Sequence, residues 1–483
     1  MKRLPQCLNL MAWVGSVAFA AYLIVRLFQL INRYSVNLMF WDNFDYYFLL
    51  AGRWNYWQRF TAQVGPHREG FGMILSSAIA PLTRWNTRAE AFAIGAILTL
   101  ALLLALWMKW RAFHRIAWYD WVVLPAFFLS SKQWEIWSNT VNSSHGALPL
   151  LFVVLYCLSW TLKRRALRDG CILAVNFLAV FTGFGFFMGI VTCCVFALTR
   201  NRIGLAIALA SLALFFVHYK FNPENPNFRF FDSRVVHFHY AMAMGLSHAC
   251  EFVRPPWDAI CGYWLLALLT IAFAVQFRRI ASGDVRSIIA ASMIGFTFLF
   301  MLAAVEGRIS FAGDICLNAS RYIPLITPGL VGAYLSIDRL PNPWLKTIFV
   351  FIALDIAVNT SALVSPDDRH QMDDYRYNKQ TWIRTYLSTG DFDRADQGHW
   401  LPIYPSPRPA DFPAKIEYLR VHKLNFFDRP APNQARPQFP AQSMIAASPA
   451  SAAAARIIPT TIVTNSTVAS RGTCDVCRHR THL

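Results

Sequence analysis

The chain has 483 residues and a formal net charge of +18, from 45 Lys and Arg against 27 Asp and Glu. Hydrophobic residues make up 55% of it and charged residues 15%, and the mean hydropathy is +0.34. Soluble domains carry about 25% charged residues, so this balance excludes an ordinary soluble globule and predicts an all-α polytopic integral membrane protein. The positive charge does not point to nucleic acid, because the basic residues sit in short connectors between apolar runs, where charge sets topology.

The N-terminal MKRLPQ precedes an apolar stretch over residues 8–31, which continues past the small-residue triplet Ala18-Phe19-Ala20 and reads as an uncleaved signal anchor. Lys2 and Arg3 would hold its start in the cytoplasm. Spans can be marked by apolar length, since about 20 residues cross a bilayer. The runs are 9–31, 89–108, 119–133, 146–161, 170–182, 184–199, 203–218, 258–277, 286–305, 321–337 and 344–363, about eleven transmembrane helices. Two shorter runs, 71–83 and 236–250, read as re-entrant or interfacial. Eight of the ten cysteines, Cys7 to Cys316, lie in or beside apolar segments without paired spacing, as small buried hydrophobes would.

Alternating connectors hold the clusters Lys109, Arg111 and Arg115; Lys163, Arg164, Arg165 and Arg168; Arg200 and Arg202; Arg278, Arg279 and Arg286; and Arg339 with Lys346. The positive-inside rule makes these the cytoplasmic side. The outward connectors are then 32–88, 134–145, the turn at 183–185, 219–257 and 306–320, with an exoplasmic C-terminus. Loop 32–88 breaks the rule with Arg33, Arg53, Arg59, Arg68, Arg84 and Arg88. Arginines placed against the bias suit a grip on an anionic group. The alternative, in which 71–83 spans, would flip every later connector.

That first outward loop carries the densest chemistry. Asp42 and Asp45 lie one helical turn apart after Trp41, and the aromatics that follow space out as amphipathic interfacial helices. The two carboxylates are candidate catalytic groups, although each could also serve the N-terminal end of its helix. His67, Arg68 and Glu69 follow; His and Arg side by side suit a phosphate or carboxylate, and membrane-flanking charge is the alternative. Trp134 and Glu135 put a carboxylate beside an aromatic platform suited to sugar faces, where a belt of interfacial tryptophans serves equally. Arg308 ends one span and Arg321-Tyr322 begins the next, so a hairpin would bring both guanidiniums to one mouth able to neutralise a lipid phosphate. Interfacial anchoring is the alternative for this pair.

Beyond the spans of the transmembrane domain, 1–363, residues 364–430 mix charge, aromatics and prolines as a small exoplasmic appendage would. The tail 431–483 is rich in Pro, Ala, Ser and Thr and cannot bury enough surface to fold alone. Its Cys474, Cys477, His479 and His482 are spaced too tightly for the usual zinc patterns, and a free tail or local disulfide fits better. Asn142-Ser143-Ser144 and Asn465-Ser466-Thr467 match the glycosylation acceptor pattern.

Trp41-Asp42, Gln63-Val64-Gly65-Pro66-His67-Arg68 and Ser320-Arg321-Tyr322 together resemble landmarks of the C-type superfamily of membrane glycosyltransferases, which includes the protein mannosyltransferases and the lipid A aminoarabinose transferases. The likeness is to its uncharacterised bacterial branch and covers residues 1–363 loosely. It implies a polyprenyl-phosphate-linked sugar donor, an outward-facing site in the bacterial inner membrane, and a glycan, lipid or protein acceptor in the cell envelope. It also implies an acidic base in the first loop, which would be Asp42, with Asp45 as substitute or as ligand to substrate or to a divalent metal ion. Arg68, Arg308 and Arg321 would hold phosphate with His67 assisting. One departure stands out: the Glu expected before His-Arg is Pro66 here, and Glu69 follows the pair instead. A transporter or flippase for a lipid-linked saccharide, or a polymerase of such saccharides, would use similar outward arginines.

Overall fold

The computed structural model describes residues 3–52, 54–139, 141–221, 237–251, 256–361, 364–397, 402–404 and 408–428. Arg53, the second glycosylation pattern at Asn465, the tail 431–483 and its Cys474, Cys477, His479 and His482 lie outside them.

Regular structure among the described residues is helical apart from one two-residue ladder. Helix α1 (Arg3–Tyr34) leads to α2 (Asp42–Ala51) and α3 (Tyr56–Phe60), then to the hairpin β1 (Gln63–Val64) and β2 (His67–Arg68). Next come α4 (Gly70–Leu82), α5 (Thr87–Phe113), α6 (Asp120–Phe128), α7 (Glu135–Ser138) and α8 (Ala147–Ser159). The middle of the chain forms α9 (Arg165–Val180), α10 (Phe186–Leu198), α11 (Arg202–Phe216) and α12 (Phe238–Ala249). After these run α13 (Trp257–Phe277), α14 (Val285–Ala312), α15 (Ile323–Ile337) and α16 (Pro343–Ser361). The last segment holds α17 (Pro366–Thr389), α18 (Phe392–Asp396) and α19 (Phe412–Val421).

Each predicted apolar run falls on a helix, but length sorts them. Among the described residues, five stretches are long and apolar enough to cross a membrane: Cys7–Tyr34, Thr87–Phe113, Trp257–Ser282, Val285–Ser310 and the run Pro343–Thr389. Helices α4, α8 and α10 are apolar but have 13 residues each, about 20 Å at 1.5 Å per residue against a hydrocarbon core of about 30 Å. The run expected over 119–133 is corrected most: α6 holds only 9 residues, carries Pro125 inside it, and gives way to a 3-10 turn at Ser131–Gln133.

Hydrogen bonds divide the bundle into two ends. At one, buried Lys109 bonds Asp120 and lies 3.1 Å from Asp338, which also holds Arg115 and Lys346. Arg339 meets Asp284 there, and Arg286 caps the Ala112 carbonyl at 2.9 Å. The basic connectors of the sequence therefore gather at this end. The opposite end collects the first loop, the 131–146 connector, the α9–α10 turn and the α14–α15 turn.

Residues 364–428 share a core with that first loop rather than standing off from it. Phe44 packs on Phe412, Phe48 and Trp85 on Tyr418, and Asn425 bonds both Asn37 and the Trp85 carbonyl.

Glycine makes the close approaches at this end. Gly183, at φ +54, donates its N–H to the Arg68 carbonyl at 2.7 Å, and a Cβ there would run into the Ser144 carbonyl. Gly183→Ala should therefore cost at least about 2 kcal/mol, from the left-handed backbone and the clash together. Gly170, on α9 with open space around it, serves as the control: Gly170→Ala should leave thermal unfolding of the detergent-solubilised protein unchanged or raise its midpoint, whereas Gly183→Ala should lower it.

Candidate functional site

The site begins at Trp41, whose backbone sits at φ 50 and ψ −122, a conformation costly for a bulky residue. Its surroundings fix it there: the Trp41 N–H donates to the Ile403 carbonyl at 3.0 Å, its indole N–H to the Pro402 carbonyl at 3.0 Å, and Phe40 stacks on the ring at 5.1 Å. This sharp turn starts α2 and presents Asp42 at its exposed first position. The N-cap is Trp41, which makes no side-chain cap, and Asp42 and Asp45 are the acidic residues of the first turn.

Asp45, one turn on, is differently employed. It accepts from the Tyr404 hydroxyl at 2.7 Å and from the Lys415 ammonium at 2.8 Å. Burial, and then Asp45 itself, push the Tyr404 hydroxyl above its ordinary pKa, which keeps it a donor. Asp45 is thus corrected from a catalytic candidate to a tie between α2 and the last described segment.

The hairpin separates His67 from Arg68, because successive strand residues face opposite ways. Arg68, 2% exposed, turns inward: its Nε and Nη2 donate to the Phe215 carbonyl at 2.9 and 2.7 Å, Nη2 also to Val217 at 2.6 Å, and Nη1 to Thr61. The Phe215 and Val217 carbonyls lie at the end of α11 and the Thr61 carbonyl at the end of α3, where helices leave acceptors without intrahelical partners. Arg68 therefore caps a helix, and the expectation that it grips phosphate is corrected.

His67 turns the other way, its ring 4.1 Å from Phe184 and 5.4 Å from His145. Burial, then the neighbouring His145, Arg308 and Arg321, push its pKa well below the ordinary imidazole value. Glu69 is fully buried; one carboxylate oxygen accepts from Asn142 at 3.1 Å and the other lies 3.6 Å from His145 Nε2 with no hydrogen bond. The Ser144 hydroxyl holds the Glu69 carbonyl at 2.7 Å. Asn142 is buried and committed to Glu69, so the acceptor pattern that begins there is no glycan site.

Trp134 is buried against Tyr375 and donates to Asp368 at 3.3 Å, so it offers no open sugar platform. Glu135 accepts from the Arg321 backbone N–H at 2.9 Å and its own N–H reaches Ser320 at 3.2 Å, which sets the α14–α15 turn. The guanidiniums of Arg308 and Arg321 lie 5.4 and 5.6 Å from the Tyr322 ring, itself 6.1 Å from Phe184.

The structure thus brings Glu69, His67, Arg308, Arg321 and Tyr322 together, and joins the start of α2 to the 131–146 connector through Asn43, which donates to the Val141 carbonyl at 2.8 Å. It removes Asp45, Arg68 and Trp134 to structural duties. Sequence reasoning noted Asn142 only as the start of a glycosylation pattern and His145 only as an ionisable residue near the end of a span, and assigned neither to the site. Among the described residues no three His, Cys, Asp or Glu side chains are grouped to hold a metal ion.

If Asp45 is a tie, Asp45→Asn should make the 412–428 segment cleave faster in limited proteolysis without altering expression, and Lys415→Met should match it. Unchanged cleavage in both variants would overturn that assignment. No protein family, curated protein or solved structure matches this chain.

Proposed function

We propose that the chain is a polytopic membrane glycosyltransferase that moves a sugar from a polyprenyl-phosphate donor to a hydroxyl of a cell-envelope acceptor on the outer face of a bacterial inner membrane. In this reading about eleven passes make up the bundle: the five long helices α1, α5, α13, α14 and α16, the shorter α8, α9, α10, α11 and α15, and α6 continued by the 3-10 turn at Ser131–Gln133. The N-terminus is cytoplasmic and the C-terminus exoplasmic, with the Lys109–Asp338 network at the cytoplasmic end.

The observation that carries the reading is the convergence of Arg308 and Arg321 on Tyr322, beside His67, at the same end of the bundle as Asp42. In the reaction Asp42 takes the proton of the acceptor hydroxyl as its oxygen attacks the anomeric carbon. The bond from that carbon to the phosphate oxygen breaks, and the departing lipid phosphate is stabilised by the two arginines. A carboxylate at an exposed turn held by its neighbours suits an acceptor that arrives from outside, and cations farther in suit a donor anchored in the bilayer.

Asp42→Asn should reduce transfer from a panel of polyprenyl-phosphate hexoses and pentoses, assayed in membranes, by at least about 10³-fold with expression intact. Normal turnover in that variant removes Asp42 from the chemistry, and movement of labelled lipid-linked sugar across the bilayer without transfer favours the flippase. A cysteine introduced between residues 163 and 168 should react with an impermeant maleimide only in inverted vesicles; labelling from the outer face inverts the topology.

A further inference from the structure

The α14–α15 turn and the hairpin converge on a point of unusual charge. His67 is faced by His145 from the 143–145 turn, by Arg308 from the end of α14 and by Arg321 from the start of α15, with uncharged Phe184 closing the fourth side. Its strand neighbour Arg68 points away to α11, and Glu69 reaches the group through His145. Glu135 touches it through the Arg321 backbone N–H. Two guanidiniums, which stay charged, stand beside two imidazoles, which can change charge.

Burial, and then the neighbouring His145, Arg308 and Arg321, disfavour the protonated form of His67. A phosphate dianion entering beside the arginines offsets their repulsion and so lowers the cost of protonating the ring. Beside His145 stands an acceptor for an imidazole N–H: one Glu69 oxygen, buried and without a hydrogen bond, lies 3.6 Å from Nε2, which is also 3.4 Å from the Asn142 amide nitrogen.

Resting on the donor reading above, we propose that this pocket takes a phosphate monoester together with a proton from water, held on the His67–His145 pair, so that anion and proton enter and leave as a unit. The shared chemistry is the phosphate group, whether on a lipid or free. By linkage, a site that binds a proton with its ligand binds that ligand more tightly as pH falls, by up to about tenfold per pH unit. In an enzyme this coupling also eases product release, because deprotonation of the pair weakens the grip on lipid phosphate.

The test is calorimetry of the full chain in detergent with farnesyl phosphate, inorganic phosphate and farnesol, between pH 7 and 8, where a phosphate monoester is already mostly dianionic. Repeating each titration in buffers of different ionisation enthalpy counts the protons and needs no variant. The expected result is uptake of a large fraction of one proton with farnesyl phosphate, several-fold tighter binding at pH 7 than at pH 8, and no binding of farnesol. His67→Asn with His145→Asn should abolish the uptake while keeping weaker, pH-independent binding, and Arg308→Gln with Arg321→Gln should lose binding. Binding that needs the arginines but takes up no proton overturns the coupling and leaves the donor reading standing. Uptake that survives in the double histidine variant puts the proton on the phosphate and also overturns it. Uptake with inorganic phosphate as tight as with farnesyl phosphate supports the coupled pocket and counts against a lipid-linked donor.

Discussion

The end of the bundle that carries the first loop depends on how one buried cation is satisfied. Taking a guanidinium out of water is costly unless its donors are met, and Arg68 meets them with carbonyls of Thr61, Phe215 and Val217. Helix C-termini carry partial negative charge and orphan acceptors, so the end of α11 and the Arg68 fork solve each other's problem. Aromatic faces of Phe181, Phe215 and Tyr219 stand 5.3 to 5.8 Å from the guanidinium carbon and complete the enclosure. With Arg68 fixed, its carbonyl takes the Gly183 N–H, and the hairpin is clamped between α11 and the α9–α10 turn. His67 and Glu69, the residues on either side, inherit their positions from that clamp.

The same economy divides the other charges of the first loop. Asp45 and Arg84 tie α2 and the α4–α5 turn to residues 404–428, Arg88 bonds Asn32, and Arg68 caps α11. Most of the ionisable groups that seemed out of place beside a membrane thus hold structure together. Asp42 stands at an exposed turn, and His67, His145, Arg308 and Arg321 form a group in which both guanidiniums lie against the Tyr322 ring.

Long apolar helices were legible because length and hydropathy are local properties; α1, α5, α13 and α14 appear where the sequence implied. The short α6 was not, since Pro125 and the polar Ser130-Ser131-Lys132-Gln133 run end it well before the apolar count does. In the site, Arg308 and Arg321 could be paired on paper because they lie only 13 positions apart in the sequence, across the α14–α15 turn. Asp45 and Arg68 could not be assigned, because their partners Lys415 and Phe215 are 370 and 147 residues distant. His145 could not be assigned for the same reason: it becomes chemistry only when Glu69, from another connector, arrives beside it.

Asn425 carries a consequence for how such a chain is made. Its side chain and backbone bond residues 37, 39, 84 and 85, the first of these across 388 positions. The turn that presents Asp42 likewise leans on carbonyls of residues 402 and 403. Neither contact can form before residues 402–425 have been made, so the first loop sets only after a segment far later in the chain has emerged. Until then the nascent bundle can have its early helices while this loop stays unassembled.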